Sequence, residues 1–331
     1  MTTNATMTAA VHRRFGPPEV VHLEQLPIPV PKAGEVVIRV HASTVSIADH
    51  RSRARDVPRG LGFLAAAGLG ILRPRRRVLG MDAAGVIDAV GPGVSSFAPG
   101  DRVIALPGAA FGGHAEYLRM PADGPIALAP STLPLDEAIA LVFGGFTAYG
   151  FFKNVIITPG TTVLVNGASG AVGTAAIQLA AQRGAHVSAV TSGKNTALVT
   201  ALGADEAIDY TREDFTADGR TWDVIVDCVG NAPFTRVEHS INPGGTLLLV
   251  INDLPGMLRA RGQSRRTGKL VTGNVGSPAA ADLAELSALT DAGQFRPVID
   301  RGYDLADIVH AHRYVDTGRK VGNVVLRVRP A

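Results

Sequence analysis

The stretch that most constrains this chain is Thr161–Lys194, TTVLVNGASGAVGTAAIQLAAQRGAHVSAVTSGK. It opens with Thr162-Val163-Leu164-Val165, a short β-branched apolar run of the kind that forms a strand buried on both faces. Gly167, Gly170 and Gly173 follow. Val172, Ala176, Leu179 and Ala180 then fall on one helical face, and Gly184 stands where the helix stops. Val187 to Val190 is a second strand. Strand, glycine turn, helix and strand make the start of a dinucleotide-binding unit. Glycine lets the backbone take φ > 0 and approach an anion closely, while the helix N-terminus directs unbonded N–H groups and a partial positive charge at the same point. A pyrophosphate suits that corner. The spacing is G-x-x-G-x-x-G, so the motif draws its weight from the strand before it and the helix after it.

The end of the second strand selects between cofactors. An NAD site places a carboxylate there for the ribose 2′-hydroxyl. This chain has Thr191, Ser192 and Lys194, and its next carboxylate is Asp205. A hydroxyl and an ammonium favour a 2′-phosphate, which a carboxylate would repel. The expected cofactor is NADPH.

Further strands are expected at Ala207 to Tyr210, Trp222 to Cys228, Thr246 to Ile251 and Leu270 to Val275, alternating with helices at Asn195 to Leu202 and Ala232 to Ser240. That alternation requires a parallel sheet with right-handed crossovers. Before it, Val20 to Val40, Val86 to Gly91 and Pro99 to Ala105 read as short strands punctuated by Gly and Pro. Pro134 to Thr147 reads as a helix, Ser277-Pro278 as a helix start, Asp304 as the opening of another helix, and Val321 to Val328 as a closing strand. The fold class expected is α/β: a doubly wound Rossmann-type domain over 131–275, and a β-rich domain over 1–130 completed by 276–331.

A chain of 331 residues can hold two such cores, and its net charge of +3 demands no nucleic-acid partner. A single cysteine, Cys228, excludes an internal disulfide and a Cys-rich zinc lobe. The first residues lack an apolar signal region, and the near-apolar run Leu61 to Leu72 is too short to span a bilayer. A cytoplasmic protein is the expectation.

Several segments together resemble the medium-chain dehydrogenase/reductase superfamily, in its zinc-free quinone oxidoreductase-like branch. They are Gly80-Met81-Asp82-Ala83-Ala84-Gly85-Val86-Ile87, Pro99-Gly100-Asp101-Arg102-Val103, Val163 to Gly173, Leu202-Gly203-Ala204-Asp205 leading to Ile208-Asp209-Tyr210, and Asp223-Val224-Ile225-Val226-Asp227. The resemblance covers nearly the whole chain. It implies a GroES-like domain joined to the Rossmann domain, an active site in the cleft between them, a homodimer, and hydride transfer from NADPH to a quinone or an α,β-unsaturated carbonyl compound. It places Ser169, Gly170, Ala171 and Val172 on the pyrophosphate, and Ser192, Lys194 and Tyr210 on the adenosine phosphate. Thr147 is placed near the nicotinamide or its phosphates, and Val229, Val250 and Asn323 join the cofactor set.

The zinc-dependent branch has a cysteine ligand near Val45 to Asp49 and Gly-His-Glu where this chain has Gly80-Met81-Asp82. A catalytic zinc needs three protein ligands, and these positions do not supply them, so no metal is expected. Ser46, Asp49 and Thr147 are the candidate catalytic residues, with Tyr149 behind them. Asp49–His50 is a conceivable proton relay. Two competing readings stay open: an NADP-dependent alcohol dehydrogenase or aldehyde reductase, and a non-catalytic crystallin or RNA-binding relative that keeps the nucleotide site. Two insert-like segments remain, Arg59 to Arg77 and Leu254 to Arg266, each apolar and arginine-rich. They suit a buried cap or subunit contact, or else an apolar lid over the cleft whose arginines attract an anionic or lipid-like substrate or make a weak contact with a membrane surface.

Overall fold

The computed structural model describes residues 5–277 and 279–329. Its strands, in chain order, are β1 (Thr6–His12), β2 (Val21–Pro27), β3 (Glu35–Thr44), β4 (Ala83–Val90), β5 (Arg102–Ala105), β6 (Tyr117–Pro121), β7 (Ile126–Leu128), β8 (Thr162–Asn166), β9 (His186–Thr191), β10 (Glu206–Asp209), β11 (Trp222–Asp227), β12 (Ile241–Leu249), β13 (Leu270–Thr272), β14 (Ile299–Asp304) and β15 (Asn323–Arg327). The chain forms two compact units. One holds the residues up to Val57, Gly62–Phe146 and the part from Ala279 onward; the other holds Pro58–Leu61 and Thr147–Ser277.

The first unit carries a β1–β2 hairpin and a larger sheet in the order β14-β15-β3-β4-β5-β7, with β6 also paired to β3. β14 and β15 are parallel, and the other pairings of this sheet are antiparallel. Val36, Ile38, Val40, Ile87 and Val103 point into a core that the C-terminal helix Ile308–Asp316 closes with Ile308, Ala311 and Val315. Residues 131–146 belong here too. The turn of helix Leu135–Ala138 packs on β3, β4 and β15, and the Asn323 amide donates to the Ala140 carbonyl at 3.0 Å. Pro278, expected at a helix start, lies outside the described residues; that helix runs Ala280–Asp291 with Ala279 as its N-cap.

The second unit is one parallel sheet in the order β10-β9-β8-β11-β12-β13. The chain steps outward from β8 to β9 and β10, then returns so that β11 lies on the other side of β8. The crevice outside the carboxyl ends of β8 and β11 is therefore a topological switch point, where ligands bind in sheets of this kind. Leu164, Val190, Ile225 and Leu247 supply the centre of the core. The expected helices shrink to Thr196–Ala201 and Phe234–Val237. The arginine-rich segments are both partly helical, Gly62–Leu69 in one and Leu254–Thr267 in the other, the latter capped by Asp253 accepting from the Gly256 N–H at 2.7 Å. Among the described residues, the stretch long and apolar enough for a bilayer is Leu135–Phe152, longer than the run at Leu61 to Leu72, and two-thirds of it is buried in the fold.

Candidate active site

The glycine turn follows β8. Gly167 has φ +81°, and a Cβ there would stand 2.7 Å from Val229 Cγ2. The Gly167 and Ala168 N–H groups both donate to the Val190 carbonyl, at 3.2 and 3.0 Å, which fastens the turn to the end of β9. A Cβ on Gly173 would meet the Gly167 carbonyl oxygen at 2.3 Å and Ala168 Cα at 2.7 Å. The helix Ala171–Gln182 thus rests directly on the turn. Gly170, its N-cap, is different: φ is −79°, and a Cβ would meet only the Gly167 carbonyl oxygen, at 3.5 Å. The helix's first bond runs from Thr174 N–H to the Gly170 carbonyl, so the N–H groups of Ala171, Val172 and Gly173 have no partner within the helix. Ser169 to Val172 therefore form an open cradle with an electropositive floor. A diphosphate fits it.

Opposite the turn, Asp227 at the end of β11 is fully buried. Its carboxylate accepts from Asn166 Nδ2 at 2.9 Å and from the N–H groups of Val229, Gly230 and Ala232 at 3.0 Å each. One acid thereby joins the end of β8 to the loop that carries Val229. The N–H of Val250 donates to the Asp227 carbonyl at 3.0 Å, which brings the end of β12 to the same rim. Burial and the neighbouring Asp227 charge push the Cys228 thiol up, so it stays protonated and unreactive. Asp227, legible in the sequence only as part of a resembling segment, and Asn166 thus brace this rim.

Beyond β9, Ser192 accepts from Asn195 Nδ2 at 3.3 Å, and Lys194 is exposed with no ion pair among the described residues. Tyr210 presents a largely exposed ring, while its N–H donates to the Thr191 carbonyl. Asp205 sits at the far end of β9, where its carboxylate accepts from the Val187 N–H at 2.7 Å, so it cannot reach a ribose beyond Thr191. Asp209 does lie near, at the end of β10. The N–H and hydroxyl of Thr211, then the Gly193 N–H, hold its carboxyl below the usual range. Its charge is committed to the turn.

In the first unit two proposed catalytic side chains have other work. Ser46 is the N-cap of the helix Ile47–Ala54; its N–H and hydroxyl donate to Asp49 Oδ2 at 2.8 and 2.7 Å, and the Gly80 N–H donates to Asp49 Oδ1 at 2.8 Å. Both residues are buried. This is a capping box that also anchors the Gly80 loop, so both side chains have a structural role. His50 does not pair with Asp49 either. Its ring nitrogens face Asp316 at 2.7 Å and Asp56 at 3.3 Å. Asn323, expected to reach the cofactor, has its amide engaged by the carbonyls of Ala140 and Val298.

Asp82 is fully buried and accepts from the Thr44 N–H at 2.7 Å, the Thr44 hydroxyl at 2.6 Å and the Ser43 hydroxyl at 3.1 Å. Burial pushes its carboxyl up to about 7 against the pull of those bonds. Thr147 lies on the helix Val142–Phe152, half-buried. Tyr149 has Arg183 and Lys153 over its ring, at 6.0 and 5.5 Å from the centroid. Arg183 caps the far end of the Ala171–Gln182 helix, about 18 Å from the glycine cradle at 1.5 Å per residue. The Tyr149 ring therefore packs toward the C-terminal end of that helix.

The comparisons with known proteins agree with this architecture. Residues 32–131 match the alcohol dehydrogenase GroES-like domain, and residues 202–326 match a model described as zinc-binding dehydrogenase. The chain is 31% identical to 2-methylene-furan-3-one reductase of Solanum lycopersicum, over 98% of this chain and 80% of that one. It is 31% identical to the mitochondrial NAD(P)H oxidoreductase RTN4IP1 of Mus musculus, over 98% of this chain and 90% of that one. The quinone oxidoreductase from Coxiella burnetii superposes with a TM-score of 0.86 at 28% identity, over 98% of this chain and 100% of that chain. This chain belongs to the medium-chain dehydrogenase/reductase superfamily, in its quinone oxidoreductase-like branch.

Proposed function

We propose that this protein transfers hydride from NADPH to a quinone or an α,β-unsaturated carbonyl compound, with no metal taking part. By family it is an NAD(P)-dependent oxidoreductase, and relatives named for enone and quinone reduction support the acceptor class. The observation that carries the reading is the open position at Gly170, in front of three helix N–H groups at the switch point. When bound, the cofactor supplies the hydride; the protein's share is binding, orientation and exclusion of water.

Ser169 to Val172 hold the diphosphate, and Val229 and Val250 wall the groove. Ser192, Lys194 and Tyr210 take the adenosine phosphate. The exposed Lys194 ammonium, without an ion pair among the described residues, favours a 2′-phosphate, since Asp205 is out of reach and Asp209 is tied to Thr211 and Gly193. Thr147 remains the candidate to orient the nicotinamide. The metal-free reading rests on the donors: Met81 stands where a histidine would ligate, and both Asp82 oxygens are occupied by Ser43 and Thr44. Among the described residues, no three His, Cys, Asp or Glu side chains converge as a metal set. Without Lewis acid assistance, an acceptor must carry its own activation, as quinones and enones do. The expected assembly is a homodimer.

A panel of quinones, enones and simple aldehydes, scored by loss of reduced-cofactor absorbance with NADPH and with NADH, tests the assignment. Quinone or enone turnover with NADPH preferred is expected. Turnover of aldehydes alone, or a preference for NADH, would overturn it.

A further inference from the structure

A further concavity lies in the first unit. It has a volume of about 550 Å³, and Arg13, Arg14, Arg73, Arg77, His22 and Leu72 are among its walls. Two acids near it are already engaged. Glu24 takes Arg13 through two bonds, at 2.7 and 2.5 Å, and also takes His22 at 2.7 Å; Glu19, on the pocket wall, pairs with Arg313 at 2.7 Å. Arg14, Arg73 and Arg77 make no side-chain hydrogen bond or ion pair among the described residues. Three uncompensated guanidinium groups thus face one hollow.

The rim is apolar. Leu72 is 88% exposed and Ile71 is 69% exposed, and both directly precede Arg73 in a segment that continues to the exposed Arg75 and Arg76. A bare Leu72 on the wall of an arginine pocket, with the exposed Ile71 next to it in sequence, does not suit a free anion in water. The two suit an interface whose outer layer is anionic and whose depth is hydrocarbon. We infer that this face seats an anionic phospholipid headgroup and docks the protein on a negatively charged bilayer, with Arg14, Arg73 and Arg77 on the phosphate and Ile71 and Leu72 entering the acyl boundary. Each arginine near such a surface contributes about a fivefold gain in partition. Removing all three lowers it about a hundredfold, and burial of Leu72 adds about tenfold more.

The test is co-sedimentation of the full chain with phosphatidylcholine vesicles, with and without phosphatidylglycerol, at low and high salt. Partition onto the phosphatidylglycerol vesicles alone, weakened by salt, is expected. The variant Arg14→Ser/Arg73→Ser/Arg77→Ser should lose about a hundredfold, and Leu72→Ser about tenfold with its salt dependence kept. NADPH turnover of each variant, which uses none of these residues, reports that it is folded. The salt response of the unaltered protein stands even if a variant does not fold. No partition, equal partition onto neutral vesicles, or a triple variant that binds like the unaltered chain would overturn the inference. So would pocket binding of inorganic phosphate by a protein that ignores vesicles.

Discussion

Gly170 and Gly173 separate the cofactor cradle from the fold that holds it. At Gly170, φ is −79° and the Cβ position is open, with the Gly167 carbonyl oxygen at 3.5 Å. Gly170→Ala is therefore sterically unstrained in the free protein; the stiffer unfolded chain favours it by about 0.4–1 kcal/mol, and the poorer capping by alanine offsets that gain, so stability should stay nearly unchanged. The added methyl, however, occupies the space assigned to the diphosphate. Shifting a phosphate oxygen by about 1 Å weakens one or two charge-assisted bonds of roughly 1.5–3 kcal/mol each, so Kd for NADPH should rise about 10- to 100-fold. At Gly173 the same methyl meets backbone at 2.3, 2.7 and 2.8 Å, which cannot move aside. Gly173→Ala should cost about 1–3 kcal/mol of stability as well as affinity, lowering Tm by several degrees. Calorimetric titration with NADPH and thermal unfolding of both free variants would measure this. Gly170→Ala binding NADPH as tightly as the unaltered chain would refute the placement of the diphosphate at this corner.

Three further outcomes are expected. Lys194→Glu should raise KM for NADPH by about tenfold or more and leave KM for NADH nearly unchanged; equal effects on steady-state kinetics with the two cofactors would remove the 2′-phosphate assignment. Asp49→Ala should lower stability by about 3 kcal/mol, because three buried donors lose their acceptor, while kcat of the folded fraction is kept; denaturant melts beside turnover would show it, and a stable but inactive variant would restore Asp49 to catalysis. Asp82 has its folded carboxyl raised to about 7 by burial, against 3.8 ordinarily. Between those values the folded chain keeps a proton that the unfolded chain loses, so this group's contribution falls as pH rises through the window. Asp82→Asn removes that loss, and its stability relative to the unaltered chain should grow from about pH 4 to about pH 7, by at most about 4 kcal/mol in urea melts; a difference independent of pH would contradict the burial account.

The second unit was readable from residues because its signals are local. A glycine turn between a β-branched strand and a helix, repeated alternation, and hydroxyls with Lys194 after β9 all lie within short windows. What the sequence concealed depends on neighbours across strands. Asp209 approaches Gly193 only because β10 lies beside β9, and no spacing along the chain reveals it. β14, with its polar IDRGYD, lacks an apolar alternation and exists through parallel pairing with β15. β1 hides for the opposite reason, since most of its residues are buried and the period of two is lost. The structural role of Ser46 and Asp49 was legible. Ser46-Ile47-Ala48-Asp49 has the Ser-x-x-acid spacing of a helix start, and that local reading accounts for both side chains before any catalytic role is needed.

The most direct measurement of metal-free hydride transfer uses chelator-treated protein, with its metal content verified, and NADPH carrying deuterium at the transferable C4 position. Mixed with an enone, it should deliver the label to the β-carbon at the same rate as untreated protein. Loss of transfer on metal removal, recovered by added zinc, would contradict the account.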